Sequence, residues 1–175
     1  MEEQDMNNVK FQVLTYLDKA GIVLNEEEKE TIEITDFGLE NLYEEGLQLV
    51  VYINNERYCA KELIMLPNQT CPEHRHPRRS NGQDGKQETF RCRFGIVYLY
   101  IEGNEETQIS VEPPANHAEY YTARKEIILY PGDQYTIPAD TNHWFKAGPE
   151  GAVISEFSSN SDDSSDIFTN SHIVR

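Results

Sequence analysis

His74 and His76 stand two residues apart in the run CPEHRHP. On a strand, that spacing turns both imidazoles to the same face. Glu88 opens a second predicted strand, and His143 lies far downstream in the stretch TIPADTNHWF. Three imidazoles and one carboxylate suit a single divalent ion such as Mn, Fe(II), Co, Ni or Zn. On a six-coordinate ion, four protein ligands leave two adjacent positions for water or substrate. His117 and His172 fit no such pattern and read as surface residues.

These residues need a scaffold that brings segments far apart in the chain to one point. Met6, Val9, Val13, Tyr16, Leu17 and Ala20 recur every three or four residues, which predicts an amphipathic helix over 7–20 that ends at Gly21. Residues 25–36 are acidic and add a short helix or an ordered approach to the first strand. From residue 46 the period changes to two. Leu47, Leu49, Val51 and Ile53 alternate, Asn54-Asn55 makes a turn, and Tyr58 to Leu66 returns. Further strands are expected at 87–93, 95–102, 120–130, 133–138, 142–147 and 151–158, punctuated by glycine and proline. Many short strands with no helix between them predict an all-β sandwich or jelly roll, an architecture that surrounds a pocket. The last residues, SSNSDDSSDIFTNSHIVR, read as a polar end or as a flap folded over the barrel mouth.

The bulk numbers narrow the partners. With 175 residues the chain has the length for one domain with its own core. Its formal net charge of −16 repels nucleic acid and anionic membranes, so neither is an expected partner, and a small neutral molecule is. The N-terminus has no basic n-region or apolar h-region, and no apolar run is long enough for a transmembrane helix. Cys59, Cys71 and Cys92 are an odd count at wide spacing, which predicts buried free thiols in a reducing, cytoplasmic setting.

The same residues resemble the two cupin motifs. The first motif reads Gly, five residues, His-x-His, a gap, Glu, six residues, Gly; here Asn68 holds the first glycine position, followed by His74, His76, Glu88 and Gly95. The second reads Gly, five residues, Pro-x-Gly, two residues, His, three residues, Asn; here it is Gly132, Pro138, Asp140 for Gly, His143, and Ala147 for Asn. The gap before Glu88 is long, eleven residues. From about Ala20 onward the chain is similar to the small cupin D-lyxose isomerases, through AGIVLNEEE, GLQLVVYINNERYCAKELIMLPNQTCPEHRHP, GKQETFRCRFGIVYLY, PGDQYTIPADTNHWFKAGPEGAVISEFSS and DIFTN. That resemblance implies an all-β cupin (double-stranded β-helix, jelly-roll) barrel with a short N-terminal helical segment. It implies one Mn-type metal per chain, with Co, Zn, Fe or Ni as substitutes, and a homodimer. The implied reaction is aldose–ketose isomerisation of D-lyxose and D-xylulose, extending to D-mannose and D-fructose. Residues 1–175 are then a single cupin domain, with a helical segment 1–45 packed on the barrel, the barrel at 46–158, and a tail or flap at 159–175.

Isomerisation of this kind moves one proton between C2 and C1 and another between O1 and O2. It needs a general base and a means of stabilising the enediolate. Glu156 is the first choice for the base, because it shares a strand face with Ala152 and Ile154. Asp166 is the second carboxylate, placed to pair with the sugar or to orient Glu156. Lys61 shares a face with Cys59, Leu63 and Met65, and Lys86 stands two residues before Glu88, so both are candidates to neutralise developing oxyanion charge. Phe90, Tyr98, Tyr100, Trp144 and Phe145 are candidates to line the pocket, although aromatic residues on strands are mostly core. Fold does not fix function, so competing readings are an Fe(II) cupin dioxygenase, a non-catalytic sugar-binding cupin, and a phosphosugar isomerase using Arg78-Arg79. A hydride shift competes with the cis-enediol.

Overall fold

Two long strands organise the structure, a computed structural model that describes residues 3–103 and 109–174. They are β5 (Glu88–Ile101) and β8 (His143–Ser158), which run antiparallel along nearly their whole length. Each contributes one half to each of two facing layers. In the first layer, β1 (Glu33–Thr35), β2 (Leu47–Asn54) and β3 (Cys59–Met65) pair in order, β3 pairs the second half of β8, and the first half of β5 pairs β7 (Gln134–Ile137). In the second, β9 (Ile167–Phe168) pairs β4 (Thr70–Arg75), β4 pairs the first half of β8, and the second half of β5 pairs β6 (Lys125–Leu129). The layers enclose a core that includes Leu49, Leu63, Phe90, Cys92, Leu99, Phe145 and Ile154. This is the jelly-roll, cupin-like barrel expected from the strand pattern.

Expected strands 87–93 and 95–102 are one strand, as are 142–147 and 151–158. The reason lies in two glycines. Gly95 (φ +72°) and Gly151 (φ +80°) pack backbone on backbone, and a Cβ on Gly95 would sit 2.0 Å from the Gly151 carbonyl oxygen. They mark bends with register shifts, at which the chain crosses from one layer to the other and the pairing resumes. The expected strand 120–130 shrinks to β6: Tyr120 ends a run of 3-10 turns, and the Thr122 and Ala123 N–H groups donate to the Glu73 carboxylate instead of to a neighbouring strand. Asn68 (φ +59°) and Asp140 (φ +56°), which replace motif glycines, both take the left-handed conformation that Asn and Asp tolerate best after glycine.

Helix α1 (Glu3–Lys19) begins four residues earlier than expected and buries Val9, Val13, Tyr16 and Leu17 against Val50, Ile64, Leu66 and Val153 on the outer face of the first layer. Helix α2 (Glu26–Glu30) starts with a reciprocal capping box between Asn25 and Glu28. The tail is folded back. Through β9 it forms the edge beside β4, with Phe168 opposite His74.

Candidate active site

His74 and His143 are register partners on β4 and β8, while Glu88 begins β5 in the opposite layer. His76 lies one residue past the end of β4 rather than within it, yet it lines the same cavity. Ligand atoms of His74, His76, Glu88 and His143 all fall within 4.8 Å of one another, and all four residues are buried. In each imidazole Nδ1 faces an oxygen: the Pro72 carbonyl for His74 (2.8 Å), the Thr141 carbonyl for His143 (2.8 Å) and the Asp166 carboxylate for His76 (2.5 Å). Such partners hold the proton on Nδ1 and leave the Nε2 lone pairs for a metal. His143 Nε2 is buried and makes no hydrogen bond, although Glu88 Oε1 lies 2.9 Å away. A buried nitrogen without a hydrogen bond among carboxylate and imidazole donors fits a divalent ion.

The charges agree. Burial, reinforced by His143 and His76, holds His74 well below the ordinary histidine range. Burial also opposes charge on His76, but the Glu88 and Asp166 carboxylates outweigh it and raise this group to about 9. Glu88 is held well below the usual carboxylate range, because Lys86 and His76 overcome its burial.

Beside the four ligands lies a second constellation. Glu156 and Lys61 are register partners on β8 and β3, and Glu156 faces Phe90 across β5. Lys86 Nζ sits 2.6 Å from Glu88 Oε2 and 2.7 Å from Glu156 Oε1, while Lys61 Nζ stands farther off, 3.7 Å from the same Glu156 oxygen. Glu156 Oε1 is thus shared between the two ammonium groups, Lys86 being the closer. All eight candidate site residues therefore converge, Asp166 doing so through His76 and not through Glu156.

The space free of protein atoms in and around the cavity mouth, open solvent included, is about 380 Å³. Its other walls are largely apolar, including Phe37, Leu47, Leu49 and Cys71, with Phe90 and Phe145. Trp144 and Tyr100 do not line it; they stack 4.1 Å apart in a separate cluster with Tyr121, against which Tyr98 packs. Phe37, Asp163 and Phe168 also line the cavity and had no assigned role. The one signal for the last two was the tail's shift from polar to apolar at Ile167-Phe168. His117 is not a free surface residue, because its Nδ1 meets the buried Glu45 carboxylate at 2.5 Å. Neither Arg78 nor Arg79 belongs to the cavity wall, and Arg79 is bonded to Asn160. The three cysteines are buried and none is in a disulfide, as expected.

Sequence and structure comparisons agree with this geometry. A family profile described as D-lyxose isomerase matches residues 25–175. A D-lyxose/D-mannose isomerase of Thermosediminibacter oceani is 55% identical over 175 residues, covering 100% of this chain and 96% of that protein. A D-lyxose ketol-isomerase of Cohnella laeviribosi is 51% identical, with the same coverage of 100% and 96%. Among solved structures, the L-ribose isomerase of Cellulomonas parahominis superposes with a TM-score of 0.79 over 99% of this chain and 94% of that one, at 14% identity. The L-ribose isomerase of Acinetobacter sp. gives 0.80 with the same coverage and 14% identity. At that identity the likeness speaks for the fold alone.

Proposed function

The chain belongs to the D-lyxose isomerase family and is a sugar isomerase; from that premise we propose that it interconverts D-lyxose and D-xylulose by proton transfer through a cis-enediol. D-Mannose and D-fructose are the proposed second pair, since D-mannose shares the 2,3-cis arrangement of D-lyxose and one full-length relative carries both aldoses in its name. His74, His76, Glu88 and His143 would hold the ion, Mn(II) in this reading, whose chemistry when bound is Lewis-acid polarisation of the C1 and C2 oxygens.

The protein's own groups do the rest. Glu156 takes the C2 proton and returns it to C1. Glu156 lines the cavity, and Lys86 holds its carboxylate ionised there to meet a substrate proton. Lys61 stabilises charge developing on the sugar oxygens and carries the hydroxyl proton from O2 to O1. Lys86 balances Glu88 and Glu156, and Asp166 fixes the ring orientation of His76. The apolar walls keep water from the enediol. The observation that carries this reading is the buried carboxylate–lysine network directly beside the histidine cluster. A dioxygenase needs an open oxygen position and no such base. We also propose a cytoplasmic homodimer; Tyr52 and Phe157, exposed on the outer sheet face, support an association surface, and the free thiols support a reducing compartment.

The test is ketose formation from D-lyxose by metal-stripped protein with and without Mn(II), beside Glu156→Gln. Activity restored by Mn(II) and lost about 10³-fold in the variant is the expected result. A remetallated wild type inert on D-lyxose, D-mannose and D-xylulose overturns the reading. With C2-deuterated D-lyxose, even partial wash-out into water supports the enediol, whereas complete retention in the product supports a hydride shift.

A further inference from the structure

Glu73 immediately precedes the ligand His74, is 2% exposed, and lies outside the cavity wall. A buried carboxylate is tolerated when its lone pairs are used. Here they are fully engaged by two distant segments. The Thr122 N–H (2.6 Å), the Ala123 N–H (2.7 Å) and the Thr122 hydroxyl (2.8 Å) all donate to it, and so does the Thr169 hydroxyl (2.7 Å). The Glu73 carbonyl also accepts the Thr169 N–H at 3.0 Å.

Thr169 directly follows β9, the two-residue strand that carries the tail across the site. One residue back, the Phe168 ring lies 5.3 Å from that of His74; three back, Asp166 meets His76 Nδ1 at 2.5 Å. A strand of two residues has too little pairing to fix its own register. Its other tethers include ring contacts of Phe168 with Phe37 (5.7 Å) and of His172 with Tyr120 (6.5 Å), Asn160 with Arg79, and the Val174 N–H on the Phe37 carbonyl, none of which is a polar contact at β9 itself.

We infer that Glu73 is a positioning residue: by seating Thr169 it locks β9 in register, so that Asp166 orients His76 and Phe168 covers His74. The inference rests on the reading of Asp166 as the group that orients His76. It adds that the orientation is set from outside the cavity, by a carboxylate that touches neither metal nor sugar.

The experiment uses the full-length protein with Thr169→Val, Thr169→Ser, Glu73→Gln, Asp166→Asn and the Thr169→Val/Asp166→Asn double variant. Three quantities are read: Mn(II) affinity by titration, kcat and KM on D-lyxose, and hydrogen exchange across residues 160–174. Thr169→Val keeps side-chain shape and removes one hydroxyl, so it stays informative if Glu73→Gln fails to fold. It is expected to weaken Mn(II) binding about tenfold and to speed exchange around β9, with Thr169→Ser restoring both. The double variant is expected to be no worse than Asp166→Asn alone, because both changes break one route. Losses that multiply in the double variant, or wild-type exchange and affinity in Thr169→Val beside a damaged Asp166→Asn, overturn the inference alone. Wild-type affinity and kinetics in Asp166→Asn overturn the orienting role of Asp166 and the inference with it.

Discussion

The two buried lysines differ in ways that separate structural from chemical work. Lys86 contacts two carboxylates at 2.6 and 2.7 Å, whereas Lys61 stands 3.7 Å from Glu156 and 3.5 Å from the Ser161 hydroxyl. Removing one partner of a close buried ion pair leaves an uncompensated charge and costs about 3–5 kcal/mol. Lys86→Met is therefore expected to lose stability of that order together with activity. Lys61→Met is expected to lose kcat with a change in Tm of only a few degrees, thermal melts of metal-free protein providing the comparison. Equal melting losses would make both lysines structural counter-ions. Another buried carboxylate gives a pH signature remote from the metal ligands. Glu62 is raised above the ordinary glutamate range by burial, against the opposing pull of its Ser155 and Tyr52 hydrogen bonds and of Arg93. Its folded state holds the proton more tightly than the unfolded chain does, so the destabilisation is absent below the unfolded value. It grows as pH rises and is complete above the folded value. Glu62→Gln is thus expected to raise Tm at pH 8 by a few degrees, as about 1 kcal/mol does in a chain this long, and to leave it nearly unchanged at pH 4. A gain equal at both pH values would show that packing, and not charge, is responsible.

At the scale of elements, the four clustered residues were legible because each carries a local cue: two histidines two apart, a glutamate at a strand start, a histidine after a proline turn. The strand boundaries at Gly95 and Gly148–Gly151 were not. A glycine inside a strand and a glycine ending one look alike in one dimension, and only the opposing strand decides between them. Here Gly95 and Gly151 meet face to face. Gly95→Ala combines a left-handed φ with a Cβ driven into the Gly151 carbonyl. The expected loss is about 3 kcal/mol, read by urea unfolding, with the metal-site residues displaced along with the bend. A stability within 1 kcal/mol of wild type would mean that the bend relaxes and that the two layers are not fixed there. The tail was legible only as one of two alternatives, a polar end or a flap, and Asp166 only as a partner of Glu156 or the sugar, for a different reason. Asp166 reaches His76 across ninety residues, and His117 reaches Glu45 across seventy-two. Neither partner has a periodicity that announces it, so contacts of that separation belong to the topology and not to local pattern.

On the scale of the whole molecule, a formal charge of −16 means that cations stabilise the fold in two distinct ways. Any salt screens the mutual repulsion of surface carboxylates and should raise the Tm of metal-free protein, whatever the cation. An ion that occupies the cluster of three histidines and Glu88 binds only the folded chain, because the unfolded chain has no such geometry. At about 100 times its Kd, a ligand of this kind adds ~2.7 kcal/mol, roughly 5–10 °C for a chain of this length. The two contributions separate at constant ionic strength. Mn(II) is expected to shift Tm by that increment above the sodium chloride curve, while Mg(II), which prefers all-oxygen coordination, is expected to follow the screening curve. His143→Gln removes one ligand and leaves the surface charge untouched, so it should keep the salt response and lose most of the Mn(II) increment. If Mg(II) matches Mn(II) and His143→Gln retains the whole shift, the stabilisation is diffuse screening, and the buried cluster is an ion-paired core instead of a metal centre.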